Sequence, residues 1–350
     1  MVKIDFNKAF NSSMNYMSSM LFKPFVFRKW LALGFVAMLA GFGSGGSGGG
    51  GNGGGGNTSS WCRSADKMST MSSDIGAFLH QYLWLILLGV AILIALGLLF
   101  TWLASVFKFV YTDQLVRNSM EIKEPFARLK GLGTSYFLWT LVFGLVCSLS
   151  FLVIVGIPAL IAYTTYHSST ALSIGCMVIG GLLFITLAIL GGVIDIFARD
   201  FVITAMYVKN LRVMDAWRTI MPTIRANKGQ IALYVLMLIV ISIASAIISI
   251  FVLIIAAIII AIPVGILAGL CVLIALSASL TWNPVTIAAV SVLGVIVLFA
   301  FSYVLVCMMQ PLLVFRRVFS LKVLGQLDSE LETLEIPAPV APQTDVTLSS

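Results

Sequence analysis

The sequence predicts an all-α, polytopic transmembrane helical bundle of about six spans, and three observations carry that prediction. Only 10% of the 350 residues are charged and 60% are apolar, whereas an ordinary soluble domain carries about 25% charged residues. From Gly229 to Phe315 there is no Asp, Glu, Lys, Arg or His, and from Gly131 to Ile194 His167 is the only one. A crossing of the hydrocarbon core takes roughly 20 apolar residues, and both stretches are several times that length. Folded in water, such a chain would lack the charged residues to cover its surface.

Residues 1–23 come first. Phe6, Phe10, Met14, Met17 and Leu21 recur at helical spacing, with Asn7, Lys8, Asn11, Ser12 and Asn15 largely elsewhere. This pattern predicts an amphipathic helix lying in the membrane interface. With Asp5 and Lys8 ahead of a Met/Ser-rich stretch, it is expected to stay on the protein rather than be cleaved.

Residues 24–317 form the predicted bundle. Its apolar runs are Trp30–Gly43, Phe78–Phe107, Thr134–Tyr163, Ala171–Ile194, Ile231–Ala278 and Val285–Phe315. The fifth run would reach roughly 70 Å as one helix, so a break is expected near Pro263, as a kink or as a fold-back within the bilayer. A Gly-rich outer loop at 43–60 follows the first run and reads as a flexible linker. Val213, Ala216, Trp217, Ile220, Met221 and Ile224 predict a second amphipathic helix. Small residues at Ser242, Ser245, Ala246 and Ser249, and the pair Gly265 and Gly269, suit close helix approach, within the chain or in a homo-oligomer.

Residues 318–350 are expected to be a cytoplasmic tail, disordered after about 335, where Pro337, Pro339 and Pro342 stand among small residues.

Orientation follows from the cations. With a cytoplasmic N-terminus and six crossings, 19 of the 21 Lys and Arg residues fall inside, and only Arg63 and Lys67 fall outside, as the positive-inside rule requires. Both termini are then cytoplasmic. The same cations lie in short segments beside apolar runs, so they do not form a nucleic-acid surface. Two segments also match: Phe126-Ala-Arg-Leu-Lys-Gly-Leu-Gly-Thr-Ser-Tyr136 and Ile224-Arg-Ala-Asn-Lys-Gly-Gln-Ile-Ala-Leu-Tyr234 each place Lys-Gly before an aromatic residue and a long apolar run. Three repeated helical hairpins would account for the bundle.

Chemistry is sparse. Four of the five cysteines lie in apolar runs, Cys62 stands in the outer loop, and no Cys/His spacing suits zinc. His80 and His167 fall near outer helix ends as ordinary interfacial residues. No nucleophile motif or paired intramembrane carboxylate occurs, and no catalytic residue, cofactor or metal is expected. The candidate functional cluster is Asp195, Arg199 and Asp200. Asp195 and Arg199 are four apart and can pair on one helical face. They stand at the cytoplasmic interface, or, if the fourth helix is shifted, inside the bilayer, where ionisable groups mark function.

Two stretches carry a resemblance. Ala198-Arg-Asp-Phe-Val-Ile-Thr-Ala-Met-Tyr207, leading to Asp215-Ala-Trp-Arg218, is one; Pro311-Leu-Leu-Val-Phe-Arg-Arg-Val-Phe-Ser-Leu321 with Gln326 is the other. They resemble an uncharacterised family of bacterial polytopic membrane proteins, itself loosely similar to the membrane domain of glycerophosphoryl diester phosphodiesterases. Thr204-Ala205 stand where such families usually carry Pro. The resemblance implies a bacterial cytoplasmic membrane and no catalytic residue. The expected function is non-enzymatic, organising or assembling proteins or lipids; the alternative is a transporter or channel for a small solute. Expected partners are the lipid bilayer and a homo-oligomer or another membrane protein.

Overall fold

A computed structural model describes residues 4–23, 25–41, 68–165, 170–277, 284–328 and 331. The Gly-rich loop, Cys62, His167 and the tail after 335 lie outside them. Among the described residues there is no strand. The helices are α1 (Phe6–Phe22), α2 (Phe27–Gly41), α3 (Met68–Arg117), α4 (Lys123–Thr165) and α5 (Thr170–Phe197). A π-helical turn (Ala198–Val202) follows, then α6 (Ile203–Lys209), α7 (Val213–Ala226), α8 (Lys228–Ser277), α9 (Pro284–Met308) and α10 (Gln310–Leu327). Among the described residues five helices are long and apolar enough to cross a membrane, and α1–α2, bent by 118°, makes six if counted as one span. This is the predicted all-α fold.

The long helices pair in chain order, α2 with α3, α4 with α5 and α8 with α9, while α3 also packs on α4 and α2 on α9. Their buried residues collect at one end. Phe109 of α3, Tyr136 of α4, Phe201 and Ile203, Ala216 and Ile220 of α7, Tyr234 of α8 and Phe319 of α10 share one core. A second core joins Tyr16 and Met20 of α1, Leu33 and Val36 of α2, Val110 and Leu115 of α3, and Val314 and Val318 of α10. We call this end the base. Away from it, at most 6% of each span's most apolar stretch is buried, so the outer parts face outward on nearly every side.

Local signals explain the base. Asp5 caps α1 by accepting from the Lys8 N–H at 2.9 Å, the usual role of Asp there. Asn118 and Asn210 both adopt φ 52°; this left-handed conformation, which Asn tolerates better than most residues, stops α3 and α6. Pro311 opens α10, where its missing N–H costs nothing.

Several expectations are narrowed or changed. No fold-back occurs at Pro263: α8 is one helix from Lys228 to Ser277, and its first turns, with Ile231 and Tyr234 buried, lie in the base. The boundary at 318 falls inside α10, whose Val318, Phe319, Ser320, Leu321, Val323 and Leu324 are buried. In α1 the helix is as expected: Leu21 of the predicted stripe is buried along with Ala9, Ser13, Tyr16 and Met20, and Phe6, Phe10 and Met17 pack against the core, while Met14 is exposed. The helix packs against α10, and that partner selects the face. Gly265 and Gly269 have open space within the chain where a Cβ would stand, so of the two expected uses only the homo-oligomer remains for them; close approaches within the chain are at Gly34 against Cys307, Gly133 against Val106 and Gly180 against Pro158.

Candidate functional site at the base

The apolar run through α3 ends at Phe107, but the helix continues to Arg117 and carries a polar turn into the core. Thr112, Asp113 and Gln114 are fully buried. Asp113 Oδ1 accepts from Arg128 Nη2 at 2.5 Å and from the Tyr207 hydroxyl at 2.7 Å, and Arg117 Nε lies 3.1 Å away. One carboxylate therefore joins α3, α4 and α6. Its Oδ2 has no hydrogen-bond partner.

The predicted cluster is split. Asp195 and Arg199 do pair, with side chains 38% and 19% exposed. Asp200 is turned away from them and buried; its Oδ2 accepts from the Tyr234 hydroxyl at 3.0 Å. The split follows from helix geometry, since residues one apart do not face each other; Arg199 and Asp200 both lie in the π turn. A π bulge frees carbonyls from the regular ladder, and here side chains take them up. Arg317 donates Nη1 to the Arg199 carbonyl at 2.6 Å and Nη2 to Thr112 Oγ1 at 3.0 Å. Ser320 Oγ donates to the Asp200 carbonyl at 3.3 Å. Arg317 thus joins α3, the π turn and α10. Burial lowers its pKa while Asp200 opposes the shift; a guanidinium keeps its charge regardless.

A second set of bonds fixes the N-terminal helices. The Tyr16 hydroxyl donates to the Leu115 carbonyl at 2.5 Å. Lys29, buried, donates to the Met20 carbonyl at 2.8 Å and to Asn118 Oδ1 at 2.5 Å.

A family profile matches residues 6–334, nearly the whole chain. The chain belongs to DUF7544, a family of unknown function. No curated protein and no solved structure matches it.

Sequence reasoning missed Thr112, Asp113, Arg317 and Tyr234 in this DUF7544 chain, and one signal was there to be read. Phe109-Val110-Tyr111-Thr112 and Phe201-Val202-Ile203-Thr204 share Phe-Val-x-Thr, and each is followed six residues later by the helix-stopping Asn118 or Asn210, preceded by Val-Arg or Val-Lys. The returning helices of the first two hairpins therefore end alike. Thr112 and Thr204 each bond back to their own helix, at Lys108 and Asp200. Chemically, the DUF7544 base holds carboxylates within hydrogen bonds that join helices. Among the described residues no group of three or more His, Cys, Asp or Glu could hold a metal ion.

Proposed function

We propose that this protein is a non-enzymatic, multi-pass protein of a bacterial inner membrane that organises proteins or lipids from its cytoplasmic face. The observation that carries this reading is the use of charge in the base: Asp113, Asp200 and Arg317 each join separate helices. Such bonds brace a scaffold. The cation bias of 19 to 2 supports a cytoplasmic base with both termini beside it, and the resemblance to bacterial polytopic proteins supports the compartment. The bilayer is its first partner. The exposed face of α7, with Met214, Asp215 and Arg218, is the surface offered to a second copy or another membrane protein.

Orientation and partner are tested together. In a background without other cysteines, a cysteine at position 62 should react with an impermeant reagent from outside, and cysteines at 120 and 215 only from the cytoplasm. A photo-crosslinker at Arg218 should trap a discrete protein or lipid adduct in cells. External reaction at 215, or no adduct from any α7 position, would defeat the reading. Cys147 separates it from a transporter: this residue lines an apolar cleft between α4 and α5 and should resist water-soluble reagents, whereas ready reaction would favour a solute path.

A further inference from the structure

Lys108 is a half-buried cation at the base. The Lys108 ammonium lies 5.3 Å from the centre of the Tyr136 ring, and no carboxylate among the described residues is at ion-pair distance. Asp195, whose charge reaches Lys108, is paired with Arg199. The Arg317 guanidinium is taken up by the Arg199 carbonyl and Thr112, which leaves the Lys108 charge to be matched.

Depth gives that charge a meaning. From Thr170, where α5 begins, to Asp195 is roughly 38 Å of helix at about 1.5 Å per residue. The hydrocarbon core is about 30 Å thick, so the cluster stands at headgroup level. Tyr136, Trp139 and Trp217 gather at the same level, with centroid separations of 5.8 and 6.0 Å, as in an interfacial aromatic belt. Directly outward lies the apolar cleft between α4 and α5, about 440 Å³, lined by Phe143, Cys147, Phe151, Leu187 and Gly191. Gly191 is one turn from Asp195, and Phe143 stacks on Trp139 at 5.1 Å, so the cleft begins about one helical turn from the Asp195–Arg199 pair.

We propose that Lys108 and Arg199, beside Tyr136, bind the phosphodiester of one anionic phospholipid whose acyl chain lies in the α4–α5 cleft. Charge-assisted bonds to phosphate oxygens are the strong kind. The adjoining apolar cleft selects a lipid over free phosphate. This inference rests on the membrane placement proposed above.

The test uses the full chain in nanodiscs of equal phosphatidylglycerol and phosphatidylcholine, with native mass spectrometry reading the lipid retained. Wild type should retain phosphatidylglycerol preferentially. Lys108→Gln should reduce the preference roughly fivefold, from about 1 kcal/mol per basic residue at an anionic surface. Lys108→Arg should keep it, and Lys130→Gln, an exposed cation outside the cluster, should leave it unchanged. Gly191→Leu should lower retention by filling the cleft, and Asp195→Asn should raise it by freeing Arg199; these two carry the test if Lys108→Gln does not fold. Equal retention of both lipids, or an unaltered preference in Lys108→Gln, would overturn the site. Displacement of the lipid by millimolar inorganic phosphate would overturn the lipid as its ligand. Alkaline extraction of wild type from vesicles would overturn the membrane reading itself, whereas a stably inserted chain without preference overturns this site alone.

Discussion

In the base, Phe109, Phe201, Tyr234 and Phe319 are at most 1% exposed; along the spans Leu93, Leu152, Phe251 and Leu298 are 63–69% exposed. Both regions are apolar, so composition does not separate them. What separates them is the solvent each must exclude. A side chain buried from water contributes about 1.5–3 kcal/mol, and the base gathers such residues from eight helices. Between helices in lipid that driving force is missing, so the spans are under no pressure to cover their Leu and Ile residues. The consequence is a division of labour: the base sets the architecture, and each hairpin needs only local contacts to stand in the bilayer.

The largest expected effect breaks the base at its most connected atom. Asp113→Asn should weaken the bonds from Arg128 and Tyr207 and strand two guanidinium groups. Breaking a buried pair costs about 3–5 kcal/mol; because Arg117 and Arg128 are 51% and 38% exposed, water recovers part of that, and we expect about 2–3 kcal/mol. Detergent melting reads it. A melting temperature unchanged from wild type would mean that Asp113 does not brace the base.

Next comes packing at the edge of the base. A Cβ on Gly133 would stand 2.7 Å from the Val106 Cα, a backbone atom that cannot turn aside. Gly133→Ala should therefore push α3 from α4 and cost about 1–3 kcal/mol, the range for overpacking. Gly265→Ala is the opposing case, since nothing lies within 4 Å of its Cβ position. It should be neutral, or stabilising by up to about 1 kcal/mol through helix propensity. If the two variants melted alike, the contrast between base and span would fail at its simplest point.

The same contrast explains what was legible in the sequence. Apolar runs reveal spans, because every residue in the hydrocarbon obeys one rule, and all of the long helices were found that way. The base obeys several rules at once. Asp113 and Thr112 lie past the end of the apolar run at Phe107, where the sequence reads as loop, yet α3 continues because Asp113 finds its donors on α4 and α6. The boundary at 318 misled for the same reason: Arg316 and Arg317 look like the end of a span, but Arg317 is a bridge within the core. In α1 the apolar stripe suggested a face towards lipid, and α10 supplied a different partner. Spacing alone already sets Asp200 apart from Asp195 and Arg199, because residues one apart on a helix do not face each other, whereas the π turn left no mark in the sequence.

The smallest expected effect concerns the pair that lies between the two regions. Asp195 and Arg199 stand where α5 leaves the apolar span, half open to their surroundings. If that level is the headgroup region, water screens both partners, and an exposed i,i+4 pair contributes about 0.3–0.5 kcal/mol. Asp195→Asn and Arg199→Gln should then each move the melting temperature only slightly, and the double variant should match their sum. At mid-membrane the outcome differs in kind. Each single variant would strand a charge in hydrocarbon and lose about 3–5 kcal/mol, while the double variant would recover most of it. Two severely destabilised singles rescued by the double would move the boundary of the base inward past Asp195 and restore the case for a solute path. Near-neutral singles would keep charge in the base and leave the spans to lipid alone.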